Sequence, residues 1–446
     1  MKLWQKSISV DKRVELFTVG RDREMDMMLA RADVLGSLAH TKMLNSINLL
    51  SDHDLELVQT GLKAIYQMIE NGEFEIDPSM EDVHSAVEFM LVEMIGEAGK
   101  RIHSGRSRND QVLVDLKLYL RRELHNISNG VESLFNELIA LSEKHKDILM
   151  PGYTHLQIAM PSSFGLWFSA YAESLVDDME NLSSTFKICN KNPLGSAAGY
   201  GSSFPLNRTM TTELLGFDNL NYNVVYAQMG RGKCERLVAQ TIGNIASTLS
   251  RLAMDNCMFS NQNFDFISYP TQYTTGSSIM PHKKNPDVWE LLRGKCNILQ
   301  TLPQQIVTMM TNLPLGYNRD MQLIKELLFP AIEQILDCLD MAKEMLSHIE
   351  IKDGILEDKK YDYLFSVESV NNLTLSGVPF REAYLSVGLE IERGEYTPER
   401  KVNHSHEGSI GNLCNDKICD MMNHIIKSID FEHIEKAEKK LLDNNK

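Results

Sequence analysis

Apolar residues recur at intervals of three and four positions along most of the chain. The clearest run starts at Val112 and continues through Leu116, Leu120, Leu124, Ile127, Val131, Leu134, Leu138 and Leu141. Similar runs span residues 234–257 and 322–349. Because residues three and four apart share one face of a helix, these runs predict long amphipathic helices. Alternating, strand-like segments are scarce, so no substantial sheet is expected.

Helices of this length usually pack into bundles, often between subunits. We therefore predict an all-α fold of three mainly helical domains. The expected boundaries are an N-terminal domain at residues 1–104, a central long-helix bundle at 105–355, and a small C-terminal domain at 356–446.

Polar segments that contain glycine separate the predicted helices. They are residues 101–111, 151–157, 193–208, 274–287 and 313–322. Helix packing explains these segments least, and loops on a rigid scaffold often carry the chemistry of a protein. We expect the functional residues to lie mainly there.

The composition narrows the choice of partners and compartment. The formal net charge is −16, so the chain lacks the positive surface that grips nucleic acid. A site for a small anion would have to concentrate its own positive charge.

Seven cysteines without a C-x-x-C spacing are typical of reduced thiols in a cytoplasmic protein. The polar N-terminus and the lack of a long apolar run predict no membrane association.

The segment at residues 274–287 carries the most distinctive chemistry. Ser277 lies in a glycine- and serine-containing stretch, and Lys283 adds positive charge. Asn285 and Pro286 are predicted to cap and begin a helix. Lysines beside a helix N-terminus could hold a carboxylate while a nearby hydroxyl acts as a base. A surface loop before a helix contains the same residue types, so these types alone leave both interpretations open.

Motifs in this segment and elsewhere resemble a known enzyme family. The sequence GSSIMPHKKNPD at residues 276–287 resembles the signature loop of the fumarase/aspartase superfamily, whose members add or remove groups across fumarate. Further segments similar to the argininosuccinate lyase family are HSGRSRNDQV (103–112), PGYTHLQ (151–157), LPLGYNRDMQLIKE (313–326) and GVPFREA (377–383). The matches follow in order from about Ser7 to Glu382, and several long motifs in one order argue against chance similarity.

This resemblance implies a reversible elimination of argininosuccinate to arginine and fumarate through an aci-carboxylate carbanion. It assigns Ser277 as the general base, and Lys283 and Asn285 as the groups that stabilise the carbanion. It assigns His155 to acid catalysis or to its charge relay, with Glu290 as the carboxylate that orients it.

The resemblance also implies a set of substrate contacts and an assembly. The implied contacts are Ser7, His84, Ser107, Arg108, Asn109, Thr154, Tyr317, Gln322 and Lys325. A homotetramer is implied, in which each active site is built from segments of three subunits. No cofactor and no metal are implied, and the H-x-H pair of His404 and His406 has no third ligand near it in the sequence.

Elementary chemistry supports these roles. The proton to be removed lies beside a carboxylate, so its loss leaves a dianion that needs cations and N–H donors such as Lys283 and Asn285. A serine can act as a base only where loop amides and positive charge stabilise its alkoxide. A histidine is a natural acid for the leaving guanidinium. The planar fork of Arg108 suits a carboxylate, although an arginine in a polar turn could also be structural.

Two other interpretations remain. The chain could be another enzyme of the superfamily, such as adenylosuccinate lyase or fumarase, or a structural relative like the bird-lens crystallins. The motifs at residues 103–112 and 377–383 argue against the first, and the intact catalytic set argues against the second.

Two segments depart from the family pattern, at residues 196–207 and 227–233. Arg231 keeps an arginine in the second of them, whereas Leu323 and Ile324 replace two acids before Lys325. We expect these changes to affect the guanidino side of the pocket and to leave the fumarate-side chemistry intact.

Overall fold

The computed structural model describes residues 11–443, and the predicted contact Ser7 lies outside the described residues. The helices are α1 (Lys12–Val19), α2 (Asp22–Met27), α3 (Ala30–Ser46), α4 (Asp52–Glu70), α5 (Val83–Ile95), α6 (Arg108–Lys144), α7 (Phe164–Cys189), α8 (Arg208–Leu214), α9 (Val224–Met229), α10 (Lys233–Phe259), α11 (Asp287–Leu299), α12 (Leu302–Met309), α13 (Leu323–Ser347), α14 (Ser366–Leu375), α15 (Phe380–Glu392), α16 (Asn415–Lys427) and α17 (Phe431–Leu442). Short 3-10 helices cover Gly96–Arg101, Thr271–Tyr273, Arg319–Gln322, Ile355–Glu357 and Lys359–Phe365. The strands are β1 (Leu149–Thr154), β2 (Gln157–Ser163), β3 (Lys191–Asn192), β4 (Asn219–Leu220), β5 (Ile267–Ser268), β6 (Thr275–Gly276), β7 (Lys284–Asn285) and β8 (Glu350–Ile351).

Four long helices form the central bundle. They are α6, α7, α10 and α13, with 37, 26, 27 and 25 residues. Helix α6 packs against α7 and α13, and α10 packs against α7, α11 and α13. All nine apolar residues of the run from Val112 to Leu141 are buried. The predicted runs are thus confirmed as α6, α10 and α13. Helix α7 was not predicted, because it contacts α6, α10 and α16 and its buried residues do not form one narrow stripe.

The strands form only two-stranded pairs in the described part of the chain, so the all-α prediction is confirmed. Pairs β1–β2, β5–β8 and β6–β7 are antiparallel, and β3–β4 is parallel. The prediction that Asn285 caps a helix was wrong. Asn285 pairs with Thr275 across β6–β7, and α11 begins two residues later, at Asp287. The chain therefore completes a short hairpin before it enters the helix.

The first and last helices of the described chain pack around the bundle. Helix α3 packs against α4 and α6, and α5 packs against α4. Near the C-terminus, α14 and α15 pack together around a small cluster of their own, formed by Val370, Ala383 and Val387. Helix α16 then packs on α7, and α17 packs on α3 and α8. The division into three domains stays a prediction. Among residues 11–443, no helix has both the length and the apolar composition needed to cross a membrane.

Arg121 fastens the last helix to the bundle. It lies fully buried on α6, where its Nη2 donates hydrogen bonds to the carbonyl of Leu215 at 2.9 Å and to Glu438 of α17 at 3.1 Å. Its Nη1 donates to Asn190 Oδ1 at 3.2 Å and to the carbonyl of Gly216 at 3.3 Å. One guanidinium thus links α6 to α17 and to the segments that follow α7 and α8.

We expect Arg121→Ala to lower the free energy of unfolding by about 3–5 kcal/mol, because it leaves Glu438 and several carbonyls without their buried donor. Urea unfolding measures this change. The neighbouring Arg122 is exposed, so Arg122→Ala is the matched control and should stay within about 0.5 kcal/mol of the parent. Equal effects of the two substitutions would contradict the role of Arg121.

Candidate active site

A polar cavity of about 220 Å³ lies where α2, α5, the first turn of α6 and the segment leading into α13 meet. Its lining residues are Asp22, Asp26, Glu81, Asp82, His84, Arg108, Asn109, Val112, Arg231, Tyr317, Arg319, Gln322 and Lys325. Six of the substrate contacts implied by sequence line it: His84, Arg108, Asn109, Tyr317, Gln322 and Lys325. They come from three distant parts of the chain, so the fold brings them together.

The lining carries both signs of charge. The acids are Asp22, Asp26, Glu81 and Asp82, and the bases are Arg108, Arg231, Arg319 and Lys325. Arginine forks and lysine suit carboxylates, and carboxylates suit ammonium and guanidinium groups. The cavity therefore fits a polar ligand that bears both kinds of charge.

Lys325 is held between two acids of α2. Its Nζ contacts Asp26 Oδ1 at 2.5 Å and also contacts Asp22 Oδ1. Burial works against the charged form of Lys325, but the carboxylates of Asp26 and Asp22 outweigh it and raise the lysine pKa. Burial, together with the charge of Asp26, raises the pKa of Asp22 to about 6. Lys325 thus stays positively charged at the wall of the cavity.

Arg108 starts α6 and is positioned by the entry to α5. Its Nη1 donates to Asp82 Oδ2 at 2.8 Å, and its Nη2 donates to Ser85 Oγ at 2.8 Å. Asp82 also caps α5, because its Oδ1 accepts from the Ser85 backbone N–H. Burial opposes ionisation of Asp82, but His84 and Arg108 lower its pKa. Ser107 does not line the cavity; it caps α6 by accepting from the Asn109 N–H at 3.2 Å.

Arg231 is buried at the cavity wall with unused hydrogen-bonding capacity. Its Nη2 donates to the carbonyl of Met321 at 3.3 Å, and its guanidinium lies 5.3 Å from the ring centre of Tyr317. Its Nε and Nη1 have no hydrogen-bond partner among the described residues. Buried donors without a partner are costly, so a ligand carboxylate would complete the site.

Gln322 ties the start of α13 to the end of α1. Its Nε2 donates to the carbonyls of Thr18 at 3.1 Å and Val19 at 3.2 Å, and its Oε1 accepts from Arg319 Nε at 3.2 Å. The N-terminal segment is thereby anchored beside the cavity.

The hairpin β6–β7 contains three of the predicted catalytic residues. Ser277 and Lys283 lie between the strands, and Asn285 lies in β7. Ser277 Oγ accepts from the backbone N–H groups of Met280 at 3.1 Å and Ile279 at 3.4 Å. Ser277 itself is half-buried, Lys283 is exposed, and none of the three lines the cavity. Glu290 follows on the first turn of α11 and is also exposed.

The hairpin β1–β2 presents Thr154 and His155. Thr154 pairs with Gln157, so His155 and Leu156 form a two-residue turn. Both have a positive φ, of 54° and 59°, as in a type I′ turn. Side chains larger than glycine rarely adopt this conformation, and such strain is frequent at functional sites. Thr154 and His155 are exposed and lie outside the cavity lining.

Some cavity residues were not predicted from the sequence. Asp22 and Asp26 lie four positions apart on a short helix, which resembles an ordinary solvated face. Arg319 lies inside the polar segment 313–322, and Asp82 lies two positions before His84. Their positions in these segments are the sequence signal that could have identified both.

One group of described residues could hold a metal ion by spacing alone. The ligand atoms of Asp33, His84 and Asp115 all lie within 4.8 Å of one another, and all three side chains are buried. Only His84 of this group lines the cavity.

Comparisons with known proteins identify the family of this chain. Residues 5–300 match the family described as Lyase. The argininosuccinate lyase of Bacteroides thetaiotaomicron is 61% identical over 441 residues, covering 99% of this chain and 99% of that protein. The argininosuccinate lyase of Thermotoga neapolitana is 38% identical over 392 residues, covering 88% of this chain and 98% of that protein.

Solved structures share the fold at lower identity. An EDDS lyase variant with bound fumarate has a TM-score of 0.76 at 20% identity and covers 98% of this chain and 95% of its own. A class II fumarase from Schistosoma mansoni has a TM-score of 0.71 at 16% identity and covers 95% of this chain and 98% of its own. Because the high sequence identity extends over almost the whole of both chains, this chain belongs to the argininosuccinate lyase family.

Proposed function

We propose that this protein catalyses the reversible elimination of argininosuccinate to L-arginine and fumarate. The observation that carries the proposal is the 61% identity over 99% of both chains with an argininosuccinate lyase. The cavity supports it, because argininosuccinate carries carboxylates together with an ammonium and a guanidinium group. A lining with both signs of charge can pair with each of them.

In this proposal Ser277 removes the proton beside a substrate carboxylate. The resulting dianion is stabilised by the Lys283 ammonium and the Asn285 amide. The hairpin supports a basic Ser277, because two loop amides already donate to its Oγ and would stabilise an alkoxide. The carbanion then expels the guanidinium nitrogen, which gives fumarate and arginine.

His155 is proposed to supply or relay the proton that the leaving nitrogen needs, with Glu290 as its orienting carboxylate. Thr154 would hold the substrate beside it. In the cavity, Arg108, Asn109 and Arg231 would hold carboxylates, while Tyr317, Gln322 and Lys325 would contact other parts of the substrate. Ser107 would act from the N-terminus of α6, where backbone N–H groups favour an anion.

We propose that a homotetramer assembles these parts, with three subunits contributing to each active site. Among the described residues, the cavity groups and the two hairpins belong to separate places in one chain. The hairpins also carry exposed apolar side chains, with Leu156 at 79% and Ile279 at 82% exposure. Such side chains often mark contact surfaces.

We propose a cytoplasmic location, because cysteines without paired spacing are typical of a reducing compartment.

The first test follows fumarate absorbance after argininosuccinate is added, with adenylosuccinate and malate as parallel substrates. We expect a rise with argininosuccinate alone, and a Ser277→Ala variant should lose about 10²- to 10⁴-fold in kcat. Its unfolding midpoint should barely change, because the hairpin contributes little to the core. Ser278→Ala is the matched control. Full activity of Ser277→Ala would exclude this serine as the base.

The second test addresses Arg231. We expect Arg231→Lys to raise the KM for argininosuccinate about tenfold, which is ~1.4 kcal/mol, because lysine keeps the charge but loses the planar fork. Lys233 is exposed two positions away, so Lys233→Ala serves as the control with an unchanged KM. An unchanged KM for Arg231→Lys would remove Arg231 from the binding site.

The third test addresses the shared active sites. Ser277→Ala alters the hairpin, and Lys325→Gln alters the cavity while keeping a donor for Asp22 and Asp26. Each variant alone should be nearly inactive. Mixed tetramers, formed by unfolding and refolding the two together, should regain part of the activity because some sites receive both intact groups. A mixture no more active than its components would show that Ser277 and Lys325 of each site come from the same subunit.

A further inference from the structure

A buried polar cluster lies behind the part of the cavity wall formed by His84. It consists of Asp33 on α3, His84 on α5 and Asp115 on α6, and both carboxyl groups are completely buried. His84 Nδ1 lies 2.7 Å from Asp33 Oδ1 and 3.4 Å from Asp115 Oδ2. Gln111 Nε2 donates to the same Asp33 oxygen at 2.6 Å. We call these three ionisable residues the Asp33–His84–Asp115 cluster.

The hydrogen bonds of this cluster are incomplete if both carboxyl groups are ionised. Asp33 Oδ2 and both oxygens of Asp115 have no donor among the described residues. The ligand atoms of the two carboxyl groups lie within 4.8 Å of each other, and like charges this close and this deeply buried repel, which favours a proton on one of them. Such a proton would supply a donor between the two groups.

Gly36 of α3 faces the Asp115 side of the cluster. A Cβ placed on Gly36 would lie 3.5 Å from Asp115 Oδ1 and 3.2 Å from Val114 Cγ1 of α6. The absence of a side chain at Gly36 thus lets α3 pack closely on α6 beside the Asp115 carboxyl group.

We propose that Asp115 is held protonated and donates to Asp33, so that one negative charge remains and keeps His84 as an imidazolium ion facing the substrate cavity. Asp33 fixes a proton on Nδ1, and Nε2 is then the ring nitrogen available to a substrate carboxylate. Asp33 and Asp115 are positioning residues, since they act through His84. The identity of the substrate rests on the proposed function, but the protonation state does not.

The surrounding charges agree with this division. Burial and the charge of Asp33 raise the pKa of Asp115 well above its ordinary value. Burial would also raise the pKa of Asp33, but His84 lowers it overall, and Asp33 in turn raises the pKa of His84 against the effect of burial. Other charged or titratable groups acting on the cluster are Asp26, Asp82, Glu88, Arg106 and His103.

Unfolding at several pH values tests the proton without any substrate. Asp115 takes up its proton on folding, so its stabilising effect is complete below its unfolded pKa and is lost as the pH rises. Asparagine is a neutral isostere that needs no proton. The folding equilibrium constant of Asp115→Asn, divided by that of the parent, should therefore rise about tenfold for each pH unit above pH ~4. The infrared carbonyl stretch of a buried protonated carboxyl group should disappear in the same variant.

Kinetics test the charge on His84. Asp115→Asn keeps the single negative charge of Asp33, whereas the double variant Asp33→Asn/Asp115→Asn removes it. We expect the double variant to raise the KM about tenfold over Asp115→Asn at about pH 8, and the difference to shrink as the pH falls and His84 regains its proton. Asp178→Asn, at a buried carboxyl group bonded to Thr248 outside the cavity, controls for loss of a buried acid and should leave the KM unchanged.

Distinct outcomes would overturn the proposal. An Asp115→Asn variant that does not gain stability relative to the parent as the pH rises would show that Asp115 is ionised in the folded protein. Equal KM values for the single and double variants would show that the negative charge of Asp33 does not support substrate binding through His84. If the purified parent contains one equivalent of a metal ion and the double variant contains none, the two carboxylates bind a metal ion and do not share a proton. Failure of the parent to release fumarate would reject the proposed function alone, because the unfolding and infrared results still decide the protonation state.

Discussion

Burial of the apolar stripe on α6 is the interaction on which the rest of the structure depends. The stripe from Val112 to Leu141 is buried, and α6 packs against α7, α13 and α3. The same helix begins with Arg108 and Asn109 at the cavity and holds Arg121 against α17. A hydrophobic contact therefore sets the position of polar groups that line the cavity.

The second constraint is the free-energy cost of burying charged side chains at the cavity wall. Lys325 lies between Asp22 and Asp26, and Arg108 is held by Asp82. The guanidinium of Arg231 has donors without a partner among residues 11–443. Paired groups are already oriented, so a ligand does not have to order them. Arg231 is different, because a ligand would satisfy donors that the protein leaves without partners.

The hairpins β1–β2 and β6–β7 follow another principle. Their tips hold His155 and Ser277 on short, strained or amide-rich turns next to large exposed apolar side chains. A turn can present a side chain far from the core, but it cannot enclose a reaction by itself. In the proposed tetramer a neighbouring subunit would exclude water from these turns, which would link the proposed chemistry to the assembly.

The sequence by itself determined the long helices of the bundle and the motifs that resemble those of the family. Periodic burial predicted α6, α10 and α13, because the spacing of apolar residues reports one buried face directly. It did not predict α7, whose buried residues are spread too widely for a single stripe. Motif resemblance named Ser277, His155 and Lys325 but could not say which of them lie together. Only the tertiary structure gathered six of the predicted contacts in one cavity, added Asp22 and Asp26 from a short helix, and placed Asp115 against Asp33 and His84. These associations depend on how α2, α3, α5 and α6 pack, and contacts between residues distant in sequence leave no periodic pattern in the chain itself.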